Sequence, residues 1–146
     1  MIRGGVPPPA CDSVPARIVH RRRFAVREPL GVVSAILAFN LPLAHAAQTT
    51  APAIAAGNAI ILKPSREAPL TVLRLGLLLH RAGVPEEALS ILTGIGEEIG
   101  YTLAAHTGVN LLSFIGSREV GVTLSAGAGN KRIEMELESF SVVLAT

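Results

Sequence analysis

At 146 residues the chain has the length of one ordinary domain, enough to bury a core. Apolar residues make up 49% but aromatic residues only 3%, so that core is built from Ala, Val, Leu and Ile, the palette of a helix-and-strand protein whose parallel strands are covered on both faces. The net charge of +2 is unevenly placed, with six arginines against Asp12 and Glu28 in residues 1–28, and the one cysteine, Cys11, excludes an internal disulfide framework and fits a reducing, cytoplasmic compartment.

Residues 1–26 read as a Pro/Arg-rich N-terminal arm. Its "GGVPPPACDSVP" has neither the apolar core of a signal peptide nor the amphipathic pattern of a transit peptide. The run "HRRRF", 20–24, reads as a solvated basic arm, with contact to nucleic acid or a membrane surface as the sharper alternative. Residues 29–62 contain no Asp, Glu, Lys or Arg, and about 20 apolar residues are enough to cross a bilayer. Asn40, Pro42, Gln48, Thr49, Thr50, Pro52, Gly57 and Asn58 interrupt that run. Neither a membrane nor a nucleic acid is therefore an expected partner.

The folded part is expected over 27–146. "LGVVSAILAF", 30–39, reads as a buried strand, followed by a helix over 42–57 with Pro42 at its start, Gly57 at its end and a kink or break at Pro52. "AIIL", 59–62, is the next strand. The helix over 68–83 places Leu70, Leu73 and Leu77 on one broad apolar face and stops at Gly83. The alternation continues with a strand over 89–92, a helix over 97–106, a strand over 111–115, a helix over 117–128 and a strand over 132–137. Short links between alternating strands and helices predict βαβ units and an α/β, Rossmann-like, doubly wound parallel sheet. Ligands of such sheets sit outside the carboxyl ends of the strands, so Asn40, Lys63, Gly94 to Gly96, Gly116 with Ser117, and the groups after Glu136 are expected along one edge.

Several stretches at that edge carry chemistry. "NAIILKPSREAPL", 58–70, delivers Lys63 at a strand end and Ser65 beyond a proline, although a surface lysine ahead of a Pro turn has the same pattern. "TGIGEEIG", 93–100, is a glycine turn that lets backbone approach a phosphate or sugar. In "SFIGSREVG", 113–121, Ser117 opens a helix whose free N–H groups favour an anion, or it serves as a plain N-cap. The two-residue strand period puts Glu134, Glu136 and Glu138 on one face, as a solvated carboxylate stripe or as a general base at the strand end. Asn40 is a turn residue or an amide donor to an oxyanion. His20, His45, His80 and His106 have no metal-ligand spacing with one another or with Cys11, and no metal is expected.

Taken in order, "REPLGVV", "FNLP", "APAIAAGNAIILKPS", "TGIGEEIG", "SFIGSREVG" and "MELES" resemble the aldehyde dehydrogenase superfamily from about Arg27 to Thr146. The resemblance implies part of an NAD(P)-binding domain from an enzyme that oxidises aldehydes to carboxylic acids through a cysteine thiohemiacetal. It implies that Ile36, Leu37, Ala38 and Phe39 line the cofactor slot, and that Lys63 and Ser65 border the adenosine ribose. Gly96 and Gly100 match glycines near the adenosine, and Gly116, Ser117 and Val120 match residues at the pyrophosphate. Asn40 matches the oxyanion amide and Glu136 the glutamate that activates the hydrolytic water. Arg66 stands where the family commonly has a ribose-binding glutamate, which favours NADP over NAD; a one-residue shift would bring Glu67 there instead.

The sequence also departs from the family. Glu138 and Ser139 occupy the places of two glycines, and Ile115 that of a threonine common beside the nicotinamide. The family's nucleophilic cysteine falls beyond Thr146, so the chain by itself is expected to be inactive. A full-length parent is expected to be a homo-oligomer. The alternative is a non-catalytic nucleotide-binding or interaction protein built on the same fold.

Overall fold

The computed structural model describes residues 12–13, 24–25 and 27–138, with side chains described over 27–137. The basic run at 20–23, Cys11, His20 and the segment after Glu138 lie outside the described residues. Two short strands, β1 (Asp12–Ser13) and β2 (Phe24–Ala25), pair antiparallel as a ribbon within the N-terminal arm. The rest alternates in chain order: β3 (Val32–Ile36), α1 (Pro42–Ala55), β4 (Ala59–Lys63), α2 (Pro69–Arg81), β5 (Leu89–Ile91), α3 (Gly96–Ala105), β6 (Leu111–Ser117), α4 (Arg118–Gly127) and β7 (Arg132–Glu138). The five longer strands form one sheet in the order β5-β4-β3-β6-β7, and every pairing in it is parallel. This is the expected doubly wound α/β arrangement. The winding direction reverses between β3 and β6, where Ile36 lies opposite both Lys63 and Phe114.

Local chemistry explains the element ends. Pro42 and Pro69 occupy the first turns of α1 and α2, where a missing N–H costs nothing. Gly57 (φ 78°) and Gly83 (φ 101°) follow those helices in the left-handed region that reverses the chain into the next strand or turn. At the opposite edge of the sheet, two amides hold the entry to β3. The Gly31 N–H donates to Asn58 Oδ1 at 3.0 Å and the Val32 N–H to Asn110 Oδ1 at 2.9 Å.

Helices α1 and α2 cover one face of the sheet, where Val33, Ala35, Ile60, Leu62 and Ile115 pack with Ala46, Ala53 and Val72. Helices α3 and α4 cover the other, where Ile36, Leu112 and Phe114 pack with Leu103, Ala104 and Leu124. Two expectations are corrected here. The break expected at Pro52 does not occur: α1 continues through it to Ala55, with Pro52 exposed near the helix end. Leu70, Leu73 and Leu77 face outward, not into the core. Instead Val72 and Gly76 are buried, with Leu75 and Leu79 packed beside them. A β-carbon on Gly76 would lie 2.5 Å from Ile91 Cδ1, so the side of α2 with the smallest residue is the one that can approach the sheet.

Candidate functional site

The sheet's carboxyl edge opens into a cleft of about 820 Å³ on the α3–α4 face, beside the point where the winding reverses. Open parallel sheets place ligands at such a point because the connecting helices diverge there. The end of β3 and the residue after it contribute Ile36 and Leu37 to the floor, the end of β4 contributes Lys63, and the turn that follows contributes Ser65, Arg66 and Glu67. Helix α3 and the residue before it supply one wall through Ile95, Gly96, Glu97, Gly100 and Tyr101. The facing wall is α4, through Glu119, Val120, Thr123 and Leu124.

Lys63 is the most unusual group in the cleft. Its side chain is only 3% exposed, its Nζ donates to the Pro64 carbonyl at 3.1 Å, and burial holds its pKa below the ordinary lysine value. A desolvated ammonium with a single carbonyl partner retains donors for polar ligand atoms. A β-carbon built on Gly96 would stand 4.0 Å from that Nζ, so the start of α3 lies beside the lysine head. The turn after Lys63 is held by Ser65, whose Oγ accepts from the Glu67 N–H at 3.3 Å and whose carbonyl accepts from the Ala68 N–H at 3.2 Å. This leaves the Arg66 side chain exposed at the rim.

Of the residues singled out from the sequence, Ile36, Leu37, Lys63, Ser65, Arg66, Gly96, Gly100 and Val120 line this cleft together. Ala38 and Phe39 continue past its floor, with Phe39 largely exposed. Gly116 and Ser117 are the last two residues of β6, which runs two residues further than expected. A β-carbon on Gly116 would meet the Phe114 ring at 2.8 Å. Ser117 caps α4, with its Oγ accepting from the Val120 N–H at 3.5 Å.

Asn40 and Glu136 do not join the cleft. Asn40 is exposed just ahead of α1, and its Oδ1 accepts from the Leu41 N–H at 3.1 Å, leaving the amide NH₂ outward. Glu136 pairs in register with Ile115 and lines, with Glu134, Gln48 and Thr49, a smaller cavity of about 260 Å³ on the α1 face. Glu134 and Glu136 are both exposed. Among those residues no group of three His, Cys, Asp or Glu could hold a metal ion.

Sequence reading missed Glu97, Tyr101, Glu119, Thr123 and Leu124 as cleft residues. The signal was the helical period: Tyr101 stands four residues beyond Glu97, and Thr123 and Leu124 stand three and four beyond Val120. The cleft carries the cations of Lys63 and Arg66, the carboxylates of Glu67, Glu97 and Glu119, and apolar side chains from Ile36, Leu37, Ile95, Val120 and Leu124. The desolvated Lys63 beside apolar walls suits a ligand with both anionic and apolar parts.

Residues 10–145 match the model of the aldehyde dehydrogenase family. A 3-sulfolactaldehyde dehydrogenase of Priestia megaterium is 39% identical over 125 residues, covering 86% of this chain and 26% of that protein. The NADP/NAD-dependent aldehyde dehydrogenase PuuC of Escherichia coli is 40% identical over 131 residues, with the same coverage of 86% and 26%. Among solved structures, an aldehyde dehydrogenase from Brucella melitensis biovar abortus superposes with a TM-score of 0.85 at 42% identity, over 88% of this chain and 27% of that one. A Staphylococcus aureus betaine aldehyde dehydrogenase in complex with NAD⁺ superposes with a TM-score of 0.83 at 34% identity, over 87% and 26%. The chain thus spans about a quarter of the length of the curated relatives it matches. No helix among the described residues is long and apolar enough to cross a membrane.

Proposed function

The chain belongs to the aldehyde dehydrogenase family, and from that premise we propose that it supplies the cofactor-binding part of an enzyme that oxidises an aldehyde to a carboxylic acid with NAD or NADP. The observation that carries this reading is the buried Lys63 ammonium at the floor of a cleft placed at the sheet's switch point. The residues present suit the cofactor: a desolvated cation and a neighbouring serine for ribose hydroxyls, Gly96 and Gly100 for close backbone approach, and apolar walls for a base. When bound, the cofactor would supply the acceptor for the hydride that the substrate loses as it is oxidised.

The chain's own residues then hold and orient. Lys63 and Ser65 bind the adenosine ribose. The end of β6 at Gly116 and the capped start of α4 at Ser117 approach the pyrophosphate, where helix N–H groups favour an anion. Ile36 and Leu37 give the cofactor an apolar floor, and Ala38 and Phe39 extend it. In the longer enzyme the outward amide of Asn40 donates to the developing oxyanion, and Glu136 takes a proton from the hydrolytic water. Neither lines the cleft: Glu136 faces the smaller cavity on the α1 side, and Asn40 is exposed just ahead of α1. We place the full enzyme in the cytoplasm as a homo-oligomer. The 146-residue chain, whose sole cysteine is Cys11 in the Pro-rich arm, binds cofactor without oxidising aldehydes. Thiol-dependent reduction of NAD⁺ or NADP⁺ by an aldehyde, abolished in Cys11→Ser, would overturn that statement.

Arg66 at the rim biases the choice of cofactor. Its guanidinium forms charge-assisted bonds to a ribose 2′-phosphate worth about 1.5–3 kcal/mol each, or roughly tenfold to a hundredfold in affinity. Glu67, in the same turn, also lines the cleft, with its backbone N–H donating to Ser65 Oγ. Calorimetric titration should give tighter binding of NADP than of NAD for the wild type, with the preference lost in Arg66→Glu. Equal NADP preference in the two proteins would sink the assignment.

A further inference from the structure

The chain has two lysines, Lys63 and Lys131, and the fold gives them different surroundings. Lys131 is half-buried in the turn between α4 and β7 and does not line the cleft. Lys63 ends β4 at the cleft floor, 3% exposed. Among the described residues its Nζ donates to one neutral group, the Pro64 carbonyl at 3.1 Å, and forms no ion pair with a carboxylate. Glu67 and Glu97 line the same cleft, yet desolvation prevails and holds the amine's pKa below the lysine value of 10.5. The neutral form, whose lone pair is the nucleophile, is therefore more populated near neutral pH than in a solvated lysine. The start of α3 does not bar the way to Nζ, since Gly96 has no side chain and even a β-carbon there would stand 4.0 Å away. Ile36, Leu37 and Ile95 make the neighbouring lining apolar.

We infer that Lys63 is a carbonyl-reactive amine, so that a short aliphatic aldehyde entering the cleft condenses with its Nζ to an imine. The step needs neither an oxidant nor a cofactor. The ammonium sheds one proton, and the freed lone pair forms the N–C bond while a second N–H proton passes to the carbonyl oxygen. The shed proton then returns to that hydroxyl, the C–O bond breaks, and water leaves behind a protonated imine that keeps the lysine's positive charge. A lysine desolvated against apolar walls is activated for this attack. The adduct stands where the adenosine ribose of the proposed cofactor binds, so excess aldehyde competes with the cofactor for the cleft. That competition rests on the cofactor reading; the condensation does not. A lysine kept only to brace the Pro64 turn would gain no such reactivity over Lys131.

The test incubates the whole 146-residue chain near neutral pH with propanal and cyanoborohydride, which reduces an imine to a stable N-propyl amine. Mass spectrometry then maps the adducts to Lys63, Lys131 or the α-amino group. Lys63 should be alkylated several times faster than Lys131. Saturating adenosine 2′,5′-bisphosphate, the adenine end of NADP and inert to the reductant, should suppress the Lys63 adduct and leave that on Lys131 unchanged. Lys63→Arg, which keeps the charge without the nucleophile, should lose all bisphosphate-sensitive alkylation. Alkylation of Lys63 no faster than of Lys131 would overturn the proposal, as would bisphosphate-sensitive alkylation that persists in Lys63→Arg. Calorimetry on the same protein separates this outcome from failure of the cofactor reading. A Lys63 adduct undiminished by a bisphosphate that does bind would overturn the shared seat. A Lys63 adduct in a chain that binds neither the bisphosphate nor NADP would uphold the condensation and overturn the cofactor reading.

Discussion

On the α1–α2 face of the sheet, Val33, Ala35, Ile60 and Leu62 meet helices that approach on their smallest residues, Ala46, Ala53 and Gly76, and the one cavity described there is the smaller, of about 260 Å³. On the α3–α4 face, the same strands present Ile36, Lys63 and Phe114, and the helices part above them to leave a cleft of about 820 Å³. Strand alternation makes this division possible, since Leu62 and Lys63 are neighbours in sequence that point to opposite faces. Both are among the least exposed side chains of the chain, at 0% and 3%. One face thus contributes cohesion, while the other keeps a desolvated cation and an open furrow that cost stability and serve a ligand.

The largest effect that tests this division is Leu62→Ala. It should destabilise the domain by about 2–5 kcal/mol in denaturant unfolding, through lost burial and the cavity left behind. Leu77→Ser, on the outward side of α2, should change stability by less than about 0.5 kcal/mol. A large loss from the second variant would show that the outer leucines are covered in solution.

Lys63→Met breaks the comparison from the other side. It should weaken NADP binding by roughly tenfold to a hundredfold, because a charged donor to the cofactor is lost, and yet raise the stability of the unliganded chain near neutral pH. The sign follows from the buried ammonium, whose pKa is lowered by desolvation from the ordinary value of 10.5. Below the lowered value both folded and unfolded chains carry the proton and the full cost is present. Between it and 10.5 only the unfolded chain does, so stability climbs with pH across that window. Thermal melts from neutral to alkaline pH should show this climb in the wild type and a flatter profile in Lys63→Met.

The smallest effect is also the sharpest. A β-carbon at Gly100 would make only ordinary contacts, 3.6 Å to Leu124 and 3.7 Å to Ile36. Gly100→Ala should therefore stabilise the domain by about 0.5–1 kcal/mol through helix propensity, while weakening cofactor binding by narrowing the cleft. Gains in both would show that the glycine is not kept for the ligand.

What the sequence determined by itself was the architecture. A charge-free, aliphatic stretch from 29 to 62, alternating strand and helix signals, and Pro and Gly at helix ends leave few solutions other than a parallel sheet covered on both faces. The cationic strand end at Lys63 and the glycines at 96 and 100 were legible as well, because a change of residue type at the end of an apolar run is a local signal. Three things were decided only by tertiary packing. In α2 two stripes, through Leu70, Leu73 and Leu77 and through Val72, Gly76 and Leu79, satisfy the same helical period. Close approach to Ile91 selected the one with the glycine. Tyr101 is an unremarkable surface position on its own helix and becomes a cleft wall only because α4 stands opposite. Glu136 sits near a strand end as the period predicts, but its parity sends it to the α1 face, away from the larger cleft. Periodicity determines which residues share a face; which face meets which neighbour depends on contacts far apart in sequence, and no local pattern encodes them.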